Sequence, residues 1–201
     1  MRVLVLFAHP GQQHSVINRD LALAAQNVTD VTVVDLYHRY PQFRIDIDRE
    51  QEQLLDHDAV VLQFPIYWYS TPALLKEWQD LVLEFGFAYG PGGDKLKDKL
   101  FFPVVTAGGP EDAYQAGGRN NYSLRRLLAP LEQTATLCRM RYVPPLALFS
   151  AHGAREDKRG EAHSLAYQDL LEALRDDRFD VEAASGQELL SSADLPIKTE
   201  A

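Results

Sequence analysis

Cysteine and positive charge are both scarce in this sequence of 201 residues, which has one cysteine and 20 Lys and Arg against 29 Asp and Glu. A single cysteine excludes an internal disulfide and provides none of the cysteine spacings of a metal site. The net charge of −9 disfavours a duplex-DNA binder and direct attachment to an anionic membrane surface, because both need a basic face. We therefore expect no nucleic-acid partner and no metal.

Long apolar runs are missing as well. No stretch reaches membrane-spanning length, and Met1-Arg2-Val3 enters a short strand without the apolar segment of a signal peptide. These features predict a cytoplasmic protein. The length suits one domain of ordinary size with a tail. We predict a domain over residues 1–177 and an acidic, weakly structured tail over residues 178–201.

Five apolar stretches of strand length alternate with helical patterns along the chain. The predicted strands cover residues 3–8, 31–36, 59–64, 100–106 and 142–149, the last interrupted by Pro144-Pro145. The predicted helices cover residues 15–26, 48–55 with Asp48 as N-cap, 72–83, 121–136 and 161–174. This alternation predicts an α/β fold, a doubly wound parallel sheet with helices on both faces.

The first strand leads into a polar loop and then a helix start, where free N–H groups and a partial positive charge favour phosphate. The loop has neither a G-x-G-x-x-G nor a G-x-x-x-x-G-K-[ST] pattern. A phosphate bound here would therefore be held by side chains together with helix amides. The candidates are His9, Ser15 and Asn18.

The third and fourth strands also end in unusual loops. One carries the rings of Tyr67, Trp68 and Tyr69, and the other carries Thr106 followed by Gly108-Gly109. In a five-stranded sheet of order 2-1-3-4-5 the first, third and fourth strands are neighbours, so these loops meet at one ligand crevice. Each loop alone has an ordinary explanation, as rim aromatics or a glycine turn. Together, a loop that can bind phosphate, a set of aromatic rings and backbone N–H groups that can approach a ligand closely indicate a flavin mononucleotide (FMN) site.

Several segments carry a resemblance to a known family. They are residues 8–10, 15–18, 35–37, 40–41, 45–47, 50–51, 65, 68–70, 72–78, 86–93, 106, 108–109 and 138–140. With these the chain resembles the NAD(P)H dehydrogenase (quinone) flavoproteins, which have a flavodoxin-like fold. Within them it is most similar to the ancillary proteins of glutathione-gated potassium-efflux systems of bacteria. The likeness covers roughly residues 2–175.

The resemblance implies a flavin-bound homodimer that accepts a hydride from NADH or NADPH and then passes two electrons to a quinone-like acceptor, by a ping-pong route. FMN is favoured over FAD, since segments for an adenosine half are missing. An ancillary member would also activate a membrane potassium/proton antiporter, which would place it at the inner membrane through that partner. The implied flavin contacts are His9, Ser15, Val16, Ile17, Asn18, Pro65, Ile66, Tyr67, Trp68, Tyr69, Thr106, Ala107, Gly108 and Gly109.

The resemblance also implies an acceptor pocket shaped by Phe87 and Tyr89. Animal-type quinone reductases carry a tyrosine and a histidine after the glycine pair. Here Tyr114 matches the tyrosine. The following segment, Gly117-Gly118-Arg119, contains no histidine, and Arg119 would supply a positive charge in its place. Tyr114 is thus the candidate catalytic residue. A regulatory flavin-binding subunit and a flavodoxin-like electron carrier remain alternatives. No role is assigned to His14, His38, His57, His152 and His163.

Overall fold

A parallel β-sheet forms the centre of the protein. The computed structural model describes residues 1–11 and 16–198. Its strands are β1 (Val3–Phe7), β2 (Val31–Asp35), β3 (Ala59–Pro65), β4 (Leu100–Thr106), β5 (Arg141–Tyr142) and β6 (Leu146–Leu148). The order is β2-β1-β3-β4-β5, with β6 also paired to β4, and every pairing is parallel. The predicted order of the sheet is confirmed.

Helices cover both faces of the sheet, because each central strand is apolar on both sides. The main helices are α1 (Val16–Gln26), α2 (Leu36–Arg39), α3 (Ile47–Asp56), α4 (Ala73–Val82), α5 (Leu124–Leu127), α6 (Ala129–Leu137), α7 (Arg159–Arg175) and α8 (Val181–Ser185). Leu4 and Leu6 pack with α2 to α6 on one face. Val3 and Val5 pack with α1 and α7 on the other, as the two-residue period of a strand requires.

Prolines and caps divide some of the predicted elements. The fifth strand is split into β5 and β6, since neither Pro144 nor Pro145 has an N–H for the ladder. The predicted helix over residues 121–136 is two helices, α5 and α6, with Ser123 capping α5 and Pro130 in the first turn of α6. The N-cap of α3 is Asp46, which accepts the Arg49 N–H, so the assignment of the cap to Asp48 was wrong.

The segment after Asp177 is packed against the domain, which differs from the expected weakly structured tail. Its apolar residues Phe179, Ala184 and Leu190 are buried. The Leu190 N–H donates to the Pro145 carbonyl at 2.9 Å, so this segment runs beside β6. These widely spaced apolar residues are inconspicuous in the acidic sequence. The division at residue 177 stays a prediction.

One carboxylate, Glu50, is fully buried in the core. It accepts hydrogen bonds from Arg39 Nη1 at 2.8 Å, the Tyr40 hydroxyl at 2.7 Å and Trp78 Nε1 at 2.8 Å. Burial and the neighbouring Glu50 carboxylate raise the pKa of Tyr40 to about 12, so its hydroxyl remains a donor. A buried charge is tolerated only with such partners. The cluster therefore joins α2, α3 and α4 on one face of the sheet.

Candidate functional site

Backbone hydrogen bonds tie together the carboxyl ends of four strands. The Ala8 N–H donates to Gln63, the Ile66 N–H to Thr106 and the Ala107 N–H to Leu148, each at 2.8–2.9 Å. The three loops expected to converge are therefore neighbours, and the loop after β6 joins them. Open α/β sheets place their ligand crevices at this edge.

The first loop presents a neutral histidine. His9 is buried, and burial lowers its pKa from the usual value, with Asp35 opposing the shift. Its Nδ1 accepts the Gly11 N–H at 3.1 Å, so the neutral ring carries its proton on Nε2. That nitrogen lies 3.5 Å from the Tyr67 hydroxyl. His9 can therefore donate a hydrogen bond to a ligand without adding a charge. Ser15 lies outside the described residues.

Asn18 holds the crevice together from within. Its side chain is buried, its Nδ2 donates to Thr106 Oγ1 at 2.7 Å, and its carbonyl accepts from Gln63 Nε2 at 2.8 Å. The side-chain amide thus joins α1 to the end of β4, and the backbone carbonyl of Asn18 joins α1 to β3. This bond uses one of the two Nδ2 hydrogens, so the interpretation of Asn18 as a phosphate ligand stays a prediction. Ile17 is likewise buried in the core, and Val16 is half-buried.

The second loop is a tight turn that exposes aromatic rings. Tyr67 and Ser70 exchange two backbone hydrogen bonds, and the central residues Trp68 and Tyr69 have φ angles of +47° and +65°. Positive φ at both central positions defines a type I′ turn, which costs roughly 1–2 kcal/mol for each residue that is not glycine. Such strain is typical of functional sites. Trp68 is 93% exposed, so it contributes little to the core.

The third loop is a glycine turn with polar side chains on one side. A Cβ added to Gly109 would lie 3.2 Å from the Tyr114 ring and 3.8 Å from Arg119 Nη2. Burial raises the pKa of the Tyr114 phenol. Tyr114 therefore stays protonated at neutral pH, and its own proton is available to a ligand. The Tyr114 ring also packs on Phe149, with centroids 5.3 Å apart.

A fourth loop, residues 149–153, was missed by the sequence analysis. A Cβ added to Gly108 would lie 3.2 Å from His152 Nε2. The predicted crevice includes only the loops after the first, third and fourth strands, so it gives His152 no role. The available signal was its position four residues after the end of a strand, since that strand pairs with β4.

Phe87 and Tyr89 are the residues predicted to shape the acceptor pocket. Both pack against the face of the sheet covered by α4 and α6. Tyr89 lines a groove of about 350 Å³ with Ser70, Leu131 and Cys138 among others. The groove begins beside the aromatic turn, through Ser70. The role of Phe87 and Tyr89 in an acceptor pocket stays a prediction.

The chain matches a family described as having the flavodoxin-like fold, over residues 1–174. A relative from Enterobacter sp. (strain 638), the glutathione-regulated potassium-efflux system ancillary protein KefG, is 47% identical over 170 residues. The match covers 85% of this chain and 92% of the relative. In the part of the chain that the structure describes, no helix is both long and apolar enough to cross a membrane.

Two solved structures are similar to this chain. General stress protein 14 from Treponema denticola, in complex with FMN, is 38% identical with a TM-score of 0.79, over 85% of this chain and 99% of that one. A protein described as an NADPH-quinone reductase from P. pentosaceus is 33% identical with a TM-score of 0.77, over 85% and 98%.

Proposed function

The chain belongs to the flavodoxin-like fold family that includes the KefG ancillary proteins, and on this premise we propose that it is an FMN-dependent NAD(P)H:quinone oxidoreductase. The observation that carries the proposal is the glycine turn after β4, flanked by Tyr114 and close in the fold to the aromatic turn at residues 67–70. The FMN-bound relative supports the cofactor, and the quinone reductase relative supports the reaction.

The residues present fit a flavin. The lack of a Cβ at Gly108 and Gly109 lets His152 and Tyr114 lie close to the turn, since a Cβ at either glycine would be 3.2 Å from one of these side chains. The described residues offer the Gly108 N–H no backbone acceptor, so it can donate to a polar ring edge. Exposed Tyr67, Trp68 and Tyr69 supply flat surfaces for stacking. We propose that FMN is held by the first loop, the aromatic turn and the glycine turn.

When bound, FMN would supply the two-electron redox chemistry. The backbone N–H of Gly108 would stabilise negative charge at the cofactor's edge, because it is a fixed donor that need not reorient. Tyr114 would add a second donor, positioned by the packing of its ring on Phe149. His9 would contribute a neutral donor near the phosphate seat. NADH or NADPH and then a quinone would use the same open face in turn.

The proposal is tested with the purified protein, by identifying the flavin it binds and measuring NADH and NADPH oxidation with and without a quinone. We expect FMN and quinone-dependent turnover. Tyr114→Phe should lower kcat about tenfold through the loss of one hydrogen bond to developing charge, with the FMN dissociation constant nearly unchanged. Failure to bind FMN would refute the proposal. FMN binding without turnover would favour a regulatory subunit instead.

We also propose an ancillary role at a membrane potassium/proton antiporter, supported by the identity to KefG. The protein would be cytoplasmic, a homodimer, and peripheral at the inner membrane through its partner. Potassium efflux from cells that carry the antiporter should rise at least severalfold when this protein is co-expressed. Equal efflux with and without it, at equal antiporter levels, would argue against this role.

A further inference from the structure

The loop after β6 is fixed against the glycine turn by two backbone hydrogen bonds. The Ser150 N–H donates to the Gly109 carbonyl at 2.9 Å, and the Ala151 N–H donates to the Ala107 carbonyl at 3.0 Å. Arg159 Nη1 also donates to the Phe149 carbonyl at 2.8 Å, while its Nε pairs with Asp157. The position of the following residue, His152, is therefore set by the same turn that would hold the cofactor.

The His152 ring is available to a ligand. Its side chain is exposed, and Nε2 lies 3.2 Å from the position of a Gly108 Cβ. Across residues 1–11 and 16–198, no hydrogen bond or ion pair occupies this imidazole. The neighbouring cation, Arg159, is already used to hold the loop. His152 is thus the group of this loop that faces the glycine turn.

Two groups that can carry positive charge flank the turn. His152 lies beside Gly108, and Arg119 Nη2 lies 3.8 Å from the position of a Gly109 Cβ. These groups can place positive charge beside the turn, although the net charge of the whole chain is −9. Addition of two electrons and one proton to a neutral flavin ring leaves one negative charge on it. A site flanked by these groups would therefore bind the reduced ring better than the oxidised ring.

We propose that His152 is a further ligand-facing residue of this site, which binds the anionic, reduced flavin more tightly than the oxidised form. This inference rests on the proposed FMN site and adds to that site a residue from the fourth loop. Tyr114 and Arg119 contact the turn from the other side. His152 thus contributes to the reduction potential of the bound cofactor, in addition to its affinity.

The test compares His152→Ala and His152→Gln with Arg155→Gln, which removes an exposed charge from the segment that follows this loop. Dissociation constants of oxidised FMN are measured by fluorescence, and midpoint potentials by equilibration with a reference dye. His152→Ala should weaken binding of reduced FMN about tenfold relative to oxidised FMN, as expected for one charge-assisted hydrogen bond. By the two-electron conversion this lowers the midpoint potential by about 30 mV. Arg155→Gln should leave the potential unchanged.

The measured affinities and potentials distinguish the following cases. A more negative potential in both His152 variants, with unchanged thermal unfolding, supports a charged imidazole at the ring. A change in His152→Ala alone, with recovery in His152→Gln, supports a hydrogen-bond donor without charge. Equal weakening of oxidised and reduced FMN, or a potential shifted equally by Arg155→Gln, overturns the inference. Absence of FMN binding by the unmodified protein would instead refute the proposed function.

Discussion

Gly108→Val is expected to lower the affinity for FMN by about 100-fold or more, because it combines overpacking with loss of close backbone approach. The Cβ of the new side chain would lie 3.2 Å from His152 Nε2, and its methyl groups would fill the space beside the turn. The fold itself should tolerate the change, since Gly108 is exposed and its φ is not positive. Fluorescence titration of FMN measures the effect.

The matched control for this substitution is Gly153→Val, in the neighbouring loop. A Cβ at Gly153 meets nothing within 4 Å, so the same side chain enters open space there. FMN affinity in this control should stay within about twofold of the original, in line with other surface substitutions. If Gly108→Val bound FMN as tightly as Gly153→Val, the glycine turn would not contact the cofactor.

Glu50→Ala is expected to destabilise the protein by about 3–5 kcal/mol, the usual cost of breaking a buried charge cluster. The substitution leaves Arg39, the Tyr40 hydroxyl and Trp78 Nε1 without the acceptor they share, and it opens a cavity between α3 and α4. Glu50→Gln keeps an acceptor and should cost less. Urea unfolding followed by circular dichroism measures the free energy of unfolding.

Glu52→Ala provides the control, because Glu52 lies on the same helix and is exposed. Its free energy of unfolding should change by no more than about 0.5 kcal/mol. A cost for Glu50→Ala as small as that for Glu52→Ala would mean that the three donors find other partners or water. The comparison separates the buried cluster from any general effect of removing a carboxylate from α3.

The sheet could be predicted well because its signal is local. The apolar runs that become β1, β3 and β4 are continuous, as expected of strands buried on both faces. The predicted ends of helices and strands were wrong where short polar or proline-containing segments decide the boundary of an element. Asp46 and Asp48 are both plausible caps, and only the Arg49 N–H contact distinguishes them. The packing of Phe179 and Leu190 was missed because isolated apolar residues give no periodicity.

The candidate site could be predicted only in part. His9, the aromatic turn at residues 67–70 and the glycine pair were found because each directly follows a strand in the sequence. The roles of individual side chains were harder to predict from the sequence than the positions of the loops. Asn18 was predicted to bind phosphate, and only the structure shows that its Nδ2 also donates to Thr106, 88 positions away. No pattern within either segment indicates that contact.

By itself, the sequence determined the class of fold, its main strands and the three loops at their carboxyl ends, because periodicity and strand length follow from neighbouring residues. The order of the strands followed from the resemblance to flavodoxin-like proteins. Only the tertiary structure decided that the loop after β6 lies on the glycine turn. That contact depends on the register between β4 and β6, which sets Thr106 beside Leu148. His152 reaches Gly108 through this pairing of distant segments.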